Sequence, residues 1–407
     1  MEGRTLSEIA ELLESDPGEL SPENARLQEA WLAKLPALEV ELFAEYCPEE
    51  DYRFPWDVES KEDVRGYEKG FLGGDDIDDP DETMVQVFFA TTRDVTQSKH
   101  PERIFGAKRS EIRYGTCHVS IPPNHKTGKL ERPSMLRFEF RPNPDRHMVI
   151  LDVNIQEPVD FFECVKARMT AFPSRTAFIF VHGYNVTFTD AALRTAQMAC
   201  DLNFQGAPVF YSWPSKGRFI SYPHDEANIE WATSSLRGFL EDFMANTEAD
   251  DVVLIGHSMG NRGLARAVME LAREKPQLAK KLKEIILAAP DIDADVFKRD
   301  IVPAMARFKR PITMYAGSTD FALRCSKLFH GYPRAGHLED GLVVVPGMET
   351  IDATNFATGF LRHSYISSSR DIIHDIAYLI RHGHRAKDRP ALLQREDPAG
   401  LYWAFKP

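Results

Sequence analysis

Cysteine is scarce in this chain. Its five residues (Cys47, Cys117, Cys164, Cys200 and Cys325) are odd in number and lack paired spacing, which excludes a disulfide framework and a cysteine-based zinc site. Long apolar runs are missing too: nothing approaches the roughly 18 consecutive apolar residues of a membrane span. The first residues, Met1 to Thr5, lead into an acidic helical pattern rather than an apolar leader segment, so the expected location is cytoplasmic. Positive charge is the minority, with 49 Lys and Arg against 62 Asp and Glu and a formal net charge of -13. No long basic cluster offsets this excess, and nucleic acid is not an expected partner. No internal repeat is visible.

What remains is a chain of 407 residues with 43% hydrophobic content, enough to bury a large core. Three regions follow from its patterning. Residues 1–82 form a helical, acidic N-terminal extension and linker. Leu6, Ile9, Leu12 and Leu13 recur at helical spacing, as do Leu27, Trp31, Leu32, Leu35, Leu38 and Leu42. Glu45 to Glu82 holds fifteen acidic residues against four basic ones. The Asp-rich run Gly73 to Pro80 lacks the spacing of a calcium-binding loop and reads as a solvated linker.

Residues 83–388 carry the main domain, and 389–407 read as a tail. Short segments rich in β-formers come first: Val85–Ala90, Gly115–Ile121, Met135–Phe140 and Met148–Val153. From about residue 160, helices alternate with fully apolar strands at Ala177–Val181, Pro208–Ser212, Val252–Ile255, Glu284–Ala288, Ile312–Ala316 and Leu342–Val345. A helix near Arg370–Arg381 closes the series. Apolar strands alternating with helices imply an α/β fold whose mostly parallel sheet is covered by helices on both faces.

Strand Val252–Ile255 runs directly into Gly256-His257-Ser258-Met259-Gly260, and a helix follows. A serine between two glycines at a strand-to-helix turn marks a nucleophile elbow. Its hydroxyl needs a base, and the base needs a carboxylate to hold its tautomer. In an α/β-hydrolase fold the acid and then the histidine follow the serine along the chain. Asp320, just after strand Ile312–Ala316, fits the acid; Asp291 is the rival and Asp293 a weaker third. His363 fits the base because it follows the last expected strand. His330 and His337 precede that strand, and His374, His382 and His384 belong to the final helix or its end. Backbone N–H groups of Met259 and of Tyr184, in His182-Gly183-Tyr184-Asn185, are the expected oxyanion donors. The segment Trp213 to Asp225, with Trp213 and Tyr222, is the expected wall of an acyl pocket. No metal or cofactor is expected, because such a triad supplies nucleophile, base and electrostatics itself.

These motifs resemble those of the bacterial α/β-hydrolases grouped as DUF900. The likeness rests on residues 178–188 (Phe-Ile-Phe-Val-His-Gly-Tyr-Asn-Val-Thr-Phe), 211–215, 256–262 and His363-Ser364-Tyr365. Upstream it includes residues 87–93, Tyr114-Gly115 and 119–122. It spans about 84–382 and implies an α/β-hydrolase fold with a triad on Ser258, Asp320 and His363.

The expected reaction is hydrolysis of a small-molecule carboxylic ester or thioester through an acyl-serine intermediate. Transfer of the acyl group to an acceptor other than water uses the same triad. A non-catalytic scaffold, docking a protein partner or a second copy through residues 1–82, is the reading from another class.

Overall fold

A computed structural model describes residues 83–133, 142–172, 174–217, 221–318, 323, 326–327, 330–354 and 369–406. The helices expected within 1–82, the strand Met135–Phe140, and both Asp320 and His363 lie outside the described residues. Among these residues the strands are β1 (Thr83–Val95), β2 (Phe105–Ile121), β3 (Val149–Gln156), β4 (Thr176–Val181), β5 (Ala207–Ser212) and β6 (Asp251–His257). They continue as β7 (Leu282–Ala288), β8 (Ile312–Ala316), β9 (Glu349–Asp352), β10 (Leu392–Asp397) and β11 (Gly400–Phe405). They join one sheet in the order β10-β11-β9-β8-β7-β6-β4-β5-β1-β2-β3. The strands from β11 to β1 in that order pair in parallel, while β2 and β10 run antiparallel to their neighbours.

Every residue of β4, β5 and β8 is buried, and their alternation divides the core. In β4 and β6, Ala177, Ile179, Val252 and Leu254 face one apolar cluster, and Phe178, Phe180, Val253 and Ile255 face the other. Helices α1 (Pro158–Thr170), α3 (Tyr222–Asn246) and α4 (Gly260–Glu274) cover the first face. Helices α2 (Phe188–Asp201) and α5 (Arg370–His382) cover the second. This is the α/β-hydrolase arrangement, a mostly parallel sheet between two helical layers. Local chemistry sets the helix ends: Thr187 and Asp190 form a reciprocal capping box at α2, and α5 stops at Gly383, whose φ is 63°.

Three segments differ from the sequence pattern. Leu342–Val345 is not a strand. Val343 and Val345 are buried in the core, but the pairing strand is the more polar β9, reached through Gly347 with φ 93°. A short apolar run satisfies a buried loop as well as a strand, and only ladder partners separate the two. The helix expected over Ala294–Arg307 is broken by a π-turn at Phe297–Ile301. There the Val302 N–H bonds back to Phe297 O, just before Pro303, which has no N–H to continue the regular ladder. Residues 392–405, within the segment read as a tail, form an antiparallel hairpin that joins the sheet beside β9.

Candidate active site

Among the described residues, strand β6 is the middle of the sheet, with five strands on either side. From β4 the chain proceeds to β5 on one side, whereas from β6 it proceeds to β7 on the other. The carboxyl ends of β4 and β6, in register at Val181 and Gly256, therefore flank a topological switch point. In open α/β sheets the loops diverge at such a point, and ligands bind there.

Ser258 stands at that point with φ +50°. The left-handed region costs a non-glycine residue roughly 1–3 kcal/mol unless its surroundings fix it. They do so here. The Ser258 N–H donates to Ala288 O at 2.9 Å, and Ser258 O accepts from the N–H groups of Asn261 at 3.1 Å and Asp291 at 3.3 Å. The Asn261 side chain adds bonds to Ser258 O at 3.1 Å and Ala288 O at 2.9 Å. The flanking glycines are required by contact. A Cβ on Gly256 would stand 2.2 Å from Asn261 Oδ1, and one on Gly260 would stand 2.3 Å from His182 O. Helix α4 begins immediately behind the serine, so its N-terminal N–H groups, Met259 N–H among them, favour negative charge at this end.

The loop after β4 closes the other side. A Cβ on Gly183 would lie 2.9 Å from Ser258 Cβ, so glycine lets this backbone approach the nucleophile. Asn185 takes φ +57°, and its N–H donates to Asp225 Oδ2 at 3.2 Å. His182 is buried behind the loop. Its Nδ1 is 2.8 Å from Gly183 O, an acceptor, so Nδ1 carries the hydrogen, and Nε2 accepts from Ser212 Oγ at 3.2 Å. Burial first, and then the Arg93 charge, lower the His182 pKa to about 3. The ring is therefore neutral and both nitrogens are engaged, which suits a loop-orienting residue rather than a base.

The sequence reading puts Trp213 and Tyr222 on a pocket wall, and the structure gives both a bonded place. Trp213 is 0% exposed, stacks on His182 with centroids 5.0 Å apart, and donates its indole N–H to His182 O at 2.8 Å. It braces the loop from behind. Tyr222 opens α3 with its ring 5.3 Å from that of Tyr184, and its hydroxyl donates to Asp291 Oδ2 at 2.5 Å.

Asp291 follows β7 and is buried. Besides Tyr222, its carboxylate accepts from Ser326 Oγ at 2.5 Å and faces Arg262 at 3.5 Å and Arg334 at 3.3 Å. Burial would raise its pKa, but the two guanidinium groups and the hydroxyl donors outweigh that and hold it below the usual carboxylate range. Arg262 also pairs with Glu226 and donates through Nε to Asp291 O at 2.6 Å.

The structure thus places Gly183 at contact distance from Ser258, with Tyr184 and Met259 the next residues along each loop, and ties Asp291 to the elbow by one backbone hydrogen bond. Asp320 would follow β8 and His363 would follow β9 in the chain, but both lie outside the described residues. Sequence reasoning did not find the parts played by Arg93, Asp225, Asn261 and Arg262. Arg93 ends a quoted motif, yet nothing local to that motif points at a loop nearly 90 residues downstream. Among the described residues, no group of three or more His, Cys, Asp or Glu side chains could hold a metal ion, and no helix is long and apolar enough to cross a membrane.

Among solved structures the chain is similar to a lipase-esterase related protein from Clostridium acetobutylicum, at 11% identity and TM-score 0.30, covering 51% of this chain and 94% of that one. It is also similar to a hyperthermophilic esterase from Pyrobaculum calidifontis, at 14% identity and TM-score 0.31, with 51% and 77% covered. A third likeness is to fungal esterases of Rhizomucor miehei, at 12% identity and TM-score 0.30, with 74% and 83% covered. No curated protein matches the sequence. The family model for α/β hydrolases of unknown function, DUF900, matches residues 160–382. With more than half its length matched, and with the elbow and the loop beside it inside the matched region, the chain belongs to the DUF900 family of α/β hydrolases.

Proposed function

We propose that the protein is a serine hydrolase that cleaves a small carboxylic ester or thioester through an acyl-serine intermediate, with Ser258, Asp320 and His363 as its triad. The observation that carries this reading is the left-handed backbone of Ser258 at the carboxyl end of the middle strand. It is held there by its neighbours' N–H groups and faced by a glycine loop at contact distance. Strain of this kind persists where surrounding structure over-determines it, and raising the serine oxygen above the sheet edge, beside the start of the following helix, is what this turn does.

In the reaction, Ser258 Oγ bonds to the acyl carbon while its proton passes to His363. The carbonyl electron pair moves onto oxygen, where the N–H groups of Met259 and Tyr184 receive it. Collapse breaks the bond to the leaving oxygen or sulfur, which takes the proton from His363. Water then attacks the acyl-serine and gives its proton to His363, and the serine departs with that proton restored. Asp320 holds the imidazole. Assigning that role to Asp320 is supported by the surroundings of Asp291, whose oxygens are already taken by two hydroxyls and two arginines.

Fluorophosphonate labelling tests the reading. Wild type is expected to label and to hydrolyse p-nitrophenyl esters, and both properties disappear in Ser258→Ala and His363→Ala. Well-folded wild type that takes no label would refute it.

A further inference from the structure

Arg93 leaves the carboxyl end of β1, two strands away from β4 in the sheet, and its side chain is 1% exposed. Its guanidinium nonetheless finds an acceptor in every direction. Nε donates to Ser212 Oγ at 2.8 Å. Nη1 donates to Ser215 O at 2.8 Å and to Gly106 O at 3.2 Å. Nη2 donates to Val186 O at 2.7 Å and lies 3.5 Å from His182 Nε2. The fork therefore ties together the β1–β2 hairpin, the turn after β5, and both ends of the loop that carries Gly183 and Tyr184.

Asp225 supplies the matching negative end. It accepts from Ser215 Oγ at 2.5 Å, Lys216 N at 2.9 Å and Asn185 N at 3.2 Å, while Ser215 Oγ in turn receives Val186 N–H at 3.1 Å. A buried cation costs several kcal/mol of desolvation unless its donors are fully used. Here burial lowers the Arg93 pKa only to about 10, with Asp225 the leading opposing charge, so the group stays charged at neutral pH.

We propose that Arg93 is the positioning residue of the oxyanion loop: its guanidinium fork, with Asp225 opposite, fixes residues 182–187 so that the Tyr184 N–H faces the reacting carbonyl. This rests on the reading of that loop as one of the two oxyanion donors. Arg93 touches no substrate; it acts through the loop backbone. A lysine cannot replace it, because one ammonium cannot reach Ser212, Ser215, Val186 and Gly106 together.

The test uses the full chain with Arg93→Lys, which keeps charge and stem, and Arg93→Met as a second variant. Ester turnover and hydrogen–deuterium exchange are measured on both. In Arg93→Lys, kcat is expected to fall about 10²-fold at little-changed KM, the penalty of an ångström-scale misplacement. Exchange should rise in 182–187 while α2 and α4 keep their protection. Wild-type kcat and unchanged loop exchange in Arg93→Lys would overturn the proposal. Exchange raised throughout the domain in both variants would also overturn it, since that is a purely structural role. If wild type neither labels nor turns over esters while the variants still loosen 182–187 alone, the esterase reading fails and the positioning of the loop by Arg93 stands.

Discussion

Replacing Gly260 by alanine probes the join between the elbow and the strand beside it. A Cβ at this position would lie 2.3 Å from His182 O and 2.7 Å from Val181 O. Carbon–oxygen contacts settle at about 3.3–3.6 Å, so the start of α4 and the end of β4 would have to part by about 1 Å. Both opposing atoms are backbone, and β4 is held between β5 and β6, so no flexible side chain can absorb the shift. Two energies compete. Alanine gains up to about 1 kcal/mol over glycine as a helix former, and overpacking costs about 1–3 kcal/mol. The clash should win, lowering the melting temperature by a few degrees.

The effect on turnover should be larger than the effect on stability. The displaced segment carries Met259 on one side and the His182–Tyr184 loop on the other, and a 1 Å misplacement costs about 10²-fold in rate. The assay is steady-state hydrolysis of p-nitrophenyl acetate beside a thermal melt. Gly238→Ala on α3 serves as the control, because a Cβ there meets nothing within 4 Å; it should leave turnover unchanged and stability equal or slightly higher. Wild-type kcat in Gly260→Ala would refute the claim that the two loops are packed to a fixed separation.

Two further predictions concern charge away from the site. Arg389 and Asp375 are paired at 2.7 Å with side chains 0% and 1% exposed, and Tyr315 donates to the same Asp375 oxygen at 2.7 Å. Arg389→Met should therefore cost about 3–5 kcal/mol in urea unfolding by leaving a buried carboxylate unpaired. Adding Asp375→Leu should restore most of that loss, and a double variant no more stable than the single one would refute the pairing argument. His125 lies between Glu131 at 2.8 Å and Asp201 at 3.0 Å. Burial lowers its pKa, but the bonds to the two carboxylates outweigh that and raise it above 6.5. Its contribution is then fully present below the unfolded value near 6.5 and is lost as pH rises through the folded value. The melting-temperature difference between wild type and His125→Gln should thus be largest near pH 6 and shrink above it. A difference that grows with pH would reverse the sign and sink the assignment.

How much of this was legible beforehand follows the range of the forces involved. Strands β4 to β8 could be read because each is buried on both faces over most of its length and so is mainly apolar. The elbow could be read because a strained turn needs small residues at fixed offsets around Ser258. Strand β9 could not: Glu349-Thr350-Ile351-Asp352 is polar at three of its four positions, and it is a strand because β8 and β11 offer it a ladder. The hairpin β10–β11 is hidden for the same reason, since Leu393, Gln394, Arg395 and Glu396 bury little and pair with β11 across the chain's end. Trp213 shows the limit at the site. An aromatic near the carboxyl edge reads equally well as a pocket wall or a brace, and only the indole bond to His182 O separates them.

Asp291 illustrates why residue type and strand order alone leave the acid of the triad open. It follows a strand at the carboxyl edge, as an acid should, and its carboxylate is ionised. Its work is nonetheless at the backbone: its N–H donates to Ser258 O, its carbonyl accepts from Arg262 Nε, and its side chain is clamped from both sides. A carboxylate that must orient an imidazole needs an oxygen available to the ring N–H. Here Oδ1 receives Ser326 beside Arg334, and Oδ2 receives Tyr222 beside Arg262. Each of those contacts would have to be broken for Asp291 to turn toward a histidine; the buried Arg334 would then lose the carboxylate it faces, and Arg262 would keep only Glu226. Such a loss costs several kcal/mol, comparable to the whole gain from one charge-assisted bond to the imidazole. The network that lowers the Asp291 pKa also anchors the residue whose N–H, with the donors of Asn261, bonds to Ser258 O, so Asp291 belongs to the support of the nucleophile's backbone.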